Sequence, residues 1–217
     1  MRSFLIFLVL TAVIGMAAGD WYPASKDAGP IKTDSKETNL IGTISIQCIG
    51  NITAGTGPEP SDDDQLFAAI PCNQTVNIRK TSFLAQPDYP RNIIATFNAS
   101  TAGSIKITGT DISGAAITEN LTVSGTSAAS TKAFKTVTRI DADLASGQTN
   151  KTLKMGTGDR LALNTKLSRN TVIWAFLGNT RESTAPSVTT NSSVLSLNTA
   201  DLSSELNSGP VWLYYIV

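Results

Sequence analysis

Residues 104–124, SIKITGTDISGAAITENLTVS, contain two runs of alternating side chains on either side of a turn-forming segment. In each run, apolar or β-branched residues recur at every second position, the spacing at which side chains share one face of a β-strand. Residues 110–115 between the runs contain Asp, Ser and Gly, which favour tight turns. This stretch therefore predicts two strands joined by a turn, and it indicates an all-β chain.

Runs of the same kind recur along the sequence and are separated by segments rich in Gly, Ser, Thr and Asp. Three such segments, residues 100–104, 124–131 and 155–160, are predicted to be turns, and residues 61–70 are predicted to form one short helical turn with Ser61 as its N-cap. About nine short antiparallel strands predict a β-sandwich or jelly-roll domain over residues 39–217. The predicted strands are residues 40–49, 76–84, 92–98, 104–110, 116–124, 134–140, 171–177, 193–197 and 211–217.

The charge and composition of the chain argue against several classes of function. The 217 residues contain 17 Lys and Arg, 17 Asp and Glu, and no His. A balanced charge provides no electrostatic field to attract nucleic acid or an anionic membrane. The lack of His excludes Ser-His-Asp, Cys-His and His-metal chemistry. We expect a protein that is not an enzyme, with no catalytic residue, no cofactor and no metal.

The N-terminal residues resemble an export signal. Arg2 precedes an apolar run over residues 4–16, and the small residues Ala17, Ala18 and Gly19 follow it. The run is short for a membrane span, so residues 1–19 are predicted to be a cleaved signal peptide, with a retained anchor or a pilin-like helix as the alternative. Residues 20–38 are then an extended polar arm, and the mature protein is expected outside the cell without a membrane anchor.

The predicted export bears on two further features of the sequence, the two cysteines and a set of glycosylation sequons. Cys48 and Cys72 are the two cysteines of the chain, and an oxidising compartment favours a disulfide between them over two free thiols. Asn-x-Ser/Thr sequons accept N-linked glycans on exposed loops of exported proteins. Covalent glycans are therefore predicted at Asn51, Asn73, Asn98, Asn120, Asn150 and Asn191.

Four stretches together resemble a family of β-rich structural proteins of tailed-phage virions and prophages. They are SFLAQPDYPRNIIATFN (82–98), the strand and turn segments of residues 103–140, MGTGDRLALNTKL (155–167) and VWLYYIV (211–217). The resemblance covers about residues 76–217. It implies a shell, fibre or tube component with no catalytic residues. A predicted signal peptide departs from that family, because virion subunits assemble in the cytoplasm, and a secreted relative reconciles the two.

Several residue groups admit a chemical role beside a structural one. Glu59 and the acidic run Asp62, Asp63 and Asp64 offer oxygen ligands for calcium, although an acidic turn exposed to solvent has the same composition. Residues 156–160 contain two glycines but lack the Lys-Ser/Thr of a phosphate loop. The paired carboxylates of a glycosidase would have to come from Asp111, Glu119, Asp141 and Asp143. Sugar-stacking rings would have to come from Trp21, Trp174 and Trp212, although Trp174 is expected in the core.

The last strand, residues 211–217, is apolar on both faces. Such a strand is either central in its sheet or covered by another subunit, because the edge strand of a monomer usually has a polar face. An N-terminal arm next to the strand of residues 40–49 offers a segment for strand addition to a neighbouring molecule. We therefore predict a subunit interface that contains Leu40, Ile44, Ile46, Trp212, Leu213, Tyr214, Tyr215 and Ile216.

These features together predict a secreted, N-glycosylated structural subunit that associates with itself. Strand addition between neighbours would build an extracellular filament or a surface layer, since head-to-tail contacts repeat without closing. Three alternatives stay open at this point. The first is a carbohydrate-binding or adhesin module with exposed aromatic residues. The second is a decoration or tube protein of a virion, and the third is a carboxylate-based hydrolase.

Overall fold

The computed structural model describes residues 44–50, 54–72, 77–145 and 150–216, and these ranges form an all-β fold of twelve strands. The predicted signal peptide, the arm of residues 20–38, Trp21, Leu40, Asn51 and Asn73 lie outside the described residues. The strands are β1 (Ile44–Ile49), β2 (Asp62–Pro71), β3 (Asn77–Lys80), β4 (Arg91–Thr110), β5 (Ala116–Phe134), β6 (Thr136–Leu144), β7 (Thr152–Ala162), β8 (Val172–Leu177), β9 (Thr180–Arg181), β10 (Ser187–Thr189), β11 (Thr199–Asp201) and β12 (Val211–Ile216).

The strands form two antiparallel sheets, so the predicted sandwich-like all-β fold is confirmed. The smaller sheet has four strands in the order β1-β12-β8-β9. The larger sheet has eight strands, of which six follow the order β10-β11-β7-β4-β6-β3, while β2 pairs with β7 and β5 pairs with β4. The terminal strand β12 therefore lies between β1 and β8, which is the first of the two alternatives that its apolar faces left open.

The long pair β4 and β5 bends back on itself in the middle. Glu119 of β5 accepts hydrogen bonds from the backbone N–H groups of Thr131 and Lys132 in the same strand, at 2.7 and 2.9 Å. A straight strand would separate residues twelve positions apart by about 40 Å. Gly103 of β4 and Gly125 of β5 lie at the bend with φ values of +142° and +138°, which favour glycine.

The fold contains two hydrophobic clusters. The first is built from strands of the larger sheet, and its fully buried members include Leu66, Ile93, Ile105, Ile107, Ile140 and Leu153. The second contains the inward side chains of the smaller sheet together with residues from β7, from β11 and from the loops that follow these two strands. Its members are Ile49, Leu161, Leu163, Leu167, Ala175, Leu177, Ala200, Leu202, Leu206, Val211, Leu213 and Tyr215.

A buried glutamine connects the two sheets. Gln47 of β1 is 3% exposed, and its amide nitrogen donates to the hydroxyl of Tyr89 and to the carbonyl of Ala162, both at 3.0 Å. Its amide oxygen accepts from the N–H of Asn164 at 3.0 Å. Every polar atom of the side chain is thereby satisfied, as burial of an amide requires.

The predicted disulfide between Cys48 and Cys72 is wrong. Cys48 lies on β1 of the smaller sheet, whereas Cys72 follows β2 of the larger sheet and packs in the first hydrophobic cluster. Both residues are free thiols that lie apart in the fold. The compartment argument used for the prediction contained no information on distance, and a disulfide requires Cα atoms within about 7 Å.

Several predicted local structures are also wrong. Residues 61–70 are not a helical turn, because β2 occupies them, and residues 193–197 contain a 3-10 turn (Leu195–Leu197) instead of a strand. The predicted turns at residues 100–104, 124–131 and 155–160 lie inside β4, β5 and β7. Tertiary pairing extends these strands through segments whose composition favours turns. The turn of residues 111–115 is confirmed between β4 and β5.

Candidate functional site

The most distinctive surface of the described chain is the outward side of the smaller sheet. It presents apolar and aromatic side chains from three adjacent strands and one cation from β9. Direct cross-strand pairing puts Cys48, Trp212 and Phe176 in one row, and Ile46, Tyr214 and Trp174 in the next. We refer to this surface as the apolar outer face; its residues are Ile46, Cys48, Trp174, Phe176, Arg181, Trp212, Tyr214 and Ile216.

The polarity of β1 is inverted with respect to an ordinary half-buried strand. Ile46 is 41% exposed on the outer face, while Gln47 lies inside. Strand β8 shows the same trend, because the small residue Ala175 is buried and the neighbouring Trp174 is 42% exposed. In a monomeric sandwich, alternation normally places the large apolar side chains inward and the polar ones in water. The outer face therefore presents large apolar side chains from both strands.

The aromatic side chains of the outer face contact one another edge to face. The ring centroids of Trp174 and Tyr214 are 6.3 Å apart at an interplanar angle of 63°, and those of Phe176 and Tyr214 are 5.7 Å apart at 61°. The guanidinium of Arg181 lies 5.3 Å from the Trp174 ring, a cation-π contact. The described ring pairs are thus tilted by about 60° with respect to each other.

The apolar outer face carries one charge. Arg181 is its single charged residue, and its eight members include no carboxylate. The Cys48 thiol is half-buried between its neighbours, and this burial raises its pKa above the usual range. The thiol is therefore protonated at neutral pH and acts here as a small apolar side chain.

The structure separates the residues of the predicted interface into two groups. Ile46, Trp212, Tyr214 and Ile216 lie on the outer face, whereas Leu213 and Tyr215 point into the second hydrophobic cluster. The backbone of Ile44 is paired with Ile216. Sequence reasoning missed Phe176 and Arg181 and assigned Trp174 to the core. The spacing of Trp174 and Phe176, two residues apart in a strand, is the signal that could have placed both on one face.

Three of the four carboxylates considered for glycosidase chemistry make hydrogen bonds within the fold. Asp111 caps the turn between β4 and β5 by accepting from the N–H groups of Ser113 and Ala115, at 2.9 and 3.0 Å. Glu119 holds the bend of β5, and Asp143 is exposed on β6. Hydrogen bonds from Arg139, and then from Arg79, hold the pKa of Asp141 below its usual range. Asp111 thus bonds within its own turn, and Glu119 and Asp141 bond within their own sheet.

The acidic run and the glycine-containing run also lie in strands. The carboxylate oxygens of Asp62, Asp63 and Asp64 lie within 4.8 Å of one another at the start of β2. Lys154 of β7 is 3.4 Å from Asp63 and 3.6 Å from Asp64, so a cation of the chain itself partly neutralises this group. Residues 156–160 lie within β7, where pairing with β2 and β4 uses the backbone.

A small cavity beside the end of β1 is lined by Gly50, Thr56, Gly57, Pro58, Asp88 and Tyr89, and its volume is about 210 Å³. Ligand sites usually exceed about 300 Å³. Both oxygens of Asp88 are occupied, because one accepts from Arg91 at 2.9 Å and the other from the N–H of Glu59 at 2.7 Å. The cavity is therefore a weaker candidate than the apolar outer face.

The sequons that the structure describes lie away from the outer face. Asn98, Asn120 and Asn150 are exposed, and Asn191 is half-buried in a loop where its side-chain oxygen accepts from the N–H of Val194 at 2.7 Å. Asn98 and Asn120 lie on β4 and β5 of the larger sheet, and the Nδ2 of Asn98 donates to the carbonyl of Asn150. None of these four residues belongs to β1, β8, β9 or β12.

Comparisons of the chain with models of protein families, with curated proteins and with solved structures found no match in any of the three sets. The resemblance to phage structural proteins therefore stays a prediction. No helix among the described residues is long and apolar enough to cross a membrane.

Proposed function

We propose that this protein is a secreted, N-glycosylated structural subunit that assembles with copies of itself into an extracellular filament or surface layer. The apolar outer face is the observation that carries the proposal. It consists of large apolar side chains in register across three strands, and it is bordered by a single cation. Contact with another copy removes these side chains from water, which is the main driving force of protein association.

The size of the face favours repeated contacts over one isolated dimer. With strands about 4.8 Å apart and same-face rows about 6.8 Å apart, three strands and the two complete rows extend over roughly 200 Å². A contiguous apolar patch of this size occurs on ordinary monomers. A standard interface buries about 800 Å² on each partner. The face therefore fits one of several contacts in a polymer.

The charge balance and the sequon positions support the same proposal. With 17 basic and 17 acidic residues, copies of this chain do not repel one another at long range. Glycans at Asn98, Asn120 and Asn150 would project from the larger sheet and from the loop next to it. Glycans at these three sites would leave the outer face of the smaller sheet free for protein contacts, while the predicted sites Asn51 and Asn73 lie outside the described residues.

The test compares assembly of the exported protein with that of a double variant, Trp174→Thr with Tyr214→Thr. Threonine keeps the preference for strands while removing aromatic surface from the outer face. The control is Leu84→Thr, because Leu84 is 74% exposed and lies between β3 and β4, away from the face. Sedimentation and electron microscopy should show polymers for the wild type and the control, and at least tenfold weaker assembly for the double variant.

Alkylation of the native thiols provides a second readout. In dilute, unassembled protein, Cys48 should react with a maleimide, whereas Cys72 in the core should react only on unfolding. Assembly should slow the alkylation of Cys48 at least tenfold and leave that of Cys72 unchanged. The proposal fails if the protein with its N-terminal segment intact stays monomeric at high concentration, or if Cys48 reacts equally fast in assembled material.

A further inference from the structure

Strand β1 is an edge strand of the smaller sheet. Among the residues that the structure describes, β12 is the strand that pairs with it. An edge strand exposes every second N–H and C=O group, and these groups bind another strand when one is available. Which residues of β1 carry the free groups follows from the hydrogen bonds on the other side of β12.

The even-numbered residues of β12 and its flank bond toward β8. The carbonyl of Pro210 accepts from the N–H of Gly178 at 2.7 Å, and the N–H of Ile216 donates to the carbonyl of Thr171 at 3.2 Å. Backbone groups of an antiparallel strand alternate between its two neighbours. The odd-numbered residues Val211, Leu213 and Tyr215 therefore bond toward β1, where their partners are Ile49, Gln47 and Ser45.

Within the described ranges, the N–H and C=O groups of Ile44, Ile46 and Cys48 consequently have no strand partner and form the free edge of β1. Natural edge strands are usually protected by Lys, Pro, a bulge or a very short length. The six residues of β1, ISIQCI, contain no charge and no proline, and their register with β12 is regular. This edge has none of the sequence features that prevent strand pairing.

We propose that the free edge of β1 pairs antiparallel with β1 of a second copy. This inference rests on the proposed self-assembly, and it specifies how two subunits would contact each other. Pairing about a two-fold axis perpendicular to the sheet places Ile46 opposite Ile46 of the second copy. All three free N–H groups of each copy then donate across the junction. The two smaller sheets become one sheet of eight strands, since each contributes four.

Two properties of β1 select a second copy as the occupant. The strand is uncharged, so the same strand can lie against it without electrostatic repulsion. The two-fold pairing also puts both apolar outer faces on the same side of the joined sheet, which doubles the continuous apolar surface to about 400 Å². Staggered stacking, in which the two halves of one joined face cover two different joined faces, is a second two-fold contact that alternates with the first and builds an open chain.

The experiment compares Ile46→Pro with Ile46→Val in the full chain. Proline removes the N–H that points to the free edge, whereas the β12 ladder uses neighbouring residues and proline is tolerated in edge strands. Valine keeps the N–H and an apolar side chain. Ile46→Pro should reduce assembly at least tenfold in sedimentation, and Ile46→Val should assemble as the wild type does. Equal assembly of the two variants overturns the edge pairing.

A cross-linking measurement keeps the test decisive if Ile46→Pro fails to fold. In Ile46→Cys with Cys48→Ser, the paired Cα atoms would lie about 5.5 Å apart across the junction, within disulfide range. Mild oxidation of assembled protein should therefore give a covalent dimer. The native Cys48 is the control, because four residues of offset separate it from its own copy by about 13 Å. If assembled Ile46→Cys protein gives no covalent dimer, the edge pairing is overturned and the proposed function still stands. The proposed function fails only if assembly itself is absent.

Discussion

Arg91 carries a positive charge on a side chain with no exposed surface. Its Nε donates to the carbonyl of Gly158 at 2.7 Å, and its two terminal nitrogens reach Asp88 and the carbonyl of Glu59 at 2.9 and 2.8 Å. A buried charge is tolerated only when it is paired and hydrogen-bonded. The guanidinium meets this condition by joining β4 to β7 and to the loop before β2.

Replacing this arginine should be among the most costly substitutions in the described chain. Arg91→Met leaves Asp88 without its cation and two carbonyls without a donor, and we expect a loss of about 3–5 kcal/mol in the free energy of unfolding. Arg79→Met is the control, because Arg79 pairs with Asp141 while 65% exposed. Exposed pairs contribute about 0–1 kcal/mol. Urea unfolding measures both variants, and similar losses would show that burial does not set the cost.

At the level of elements, the bend of β4 and β5 brings the two halves of each strand around the first hydrophobic cluster. Residues 91–97 of β4 pair with β7, whereas residues 103–110 pair with β6. The bend therefore directs one strand to two different neighbours on the same edge. It depends on the positive φ values of Gly103 and Gly125.

The two glycines should differ in their tolerance of a side chain. A Cβ at Gly103 would overlap the carbonyl oxygen of Asp143 and lie 2.7 Å from the Cα of Leu144, whereas a Cβ at Gly125 meets nothing within 4 Å. Gly125→Ala should cost about 1–2 kcal/mol through backbone strain alone. Gly103→Ala should cost about 3 kcal/mol or more, because it adds displacement of β6. Equal costs in urea unfolding would mean that β6 moves away freely.

The sequence predicted elements well where local signals and tertiary pairing agree. The arms of the turn at residues 111–115 follow from alternation alone, whereas the two apolar faces of β12 left a central position and a position covered by another subunit as alternatives. The sequence predicts turns at Gly103 and Gly125, because segments rich in Gly, Ser and Thr occur at bends of strands as well as in loops. The run at residues 61–70 was misassigned because pairing with β7 outweighs the helix-forming cap at Ser61.

The candidate site was predicted only in part, for a related reason. Alternation in β12 separates Trp212, Tyr214 and Ile216 from their buried neighbours, but it does not show which face points inward. The inward position of Gln47 depends on partners more than 40 residues away in sequence, at Tyr89, Ala162 and Asn164. No local pattern contains such contacts.

At the level of the whole described fold, the sequons and the apolar outer face belong to different parts of the structure. Asn98 and Asn120 lie on the larger sheet, and the outer face belongs to the smaller one. A glycan is a bulky hydrated group, so its position decides which surfaces of a subunit stay available for contact. The proposed assembly therefore makes a clear prediction about a relocated glycan.

A sequon placed on the outer face should block assembly in a host that attaches N-linked glycans. Trp212→Asn with Tyr214→Thr creates such a sequon on β12. We expect the glycosylated variant to assemble at least tenfold more weakly than Trp212→Gln with Tyr214→Thr, which removes the same two rings without creating a sequon. The control removes a native sequon by Asn120→Gln and should leave assembly unchanged. Normal polymers from the glycosylated double variant would contradict burial of the outer face.

The side chain of Gln47 has a mechanical consequence in an assembly joined through β1. Tension between neighbouring subunits would enter each molecule through this strand. The joined sheet extends across its strands, so a pull between subunits acts along the hydrogen bonds between β1 and β12. The three hydrogen bonds of Gln47 resist the same pull, because they connect β1 to the end of β7 and to Tyr89. Gln47 passes part of the load directly to Ala162 and Asn164 at the end of β7, so the larger sheet bears tension together with the smaller one.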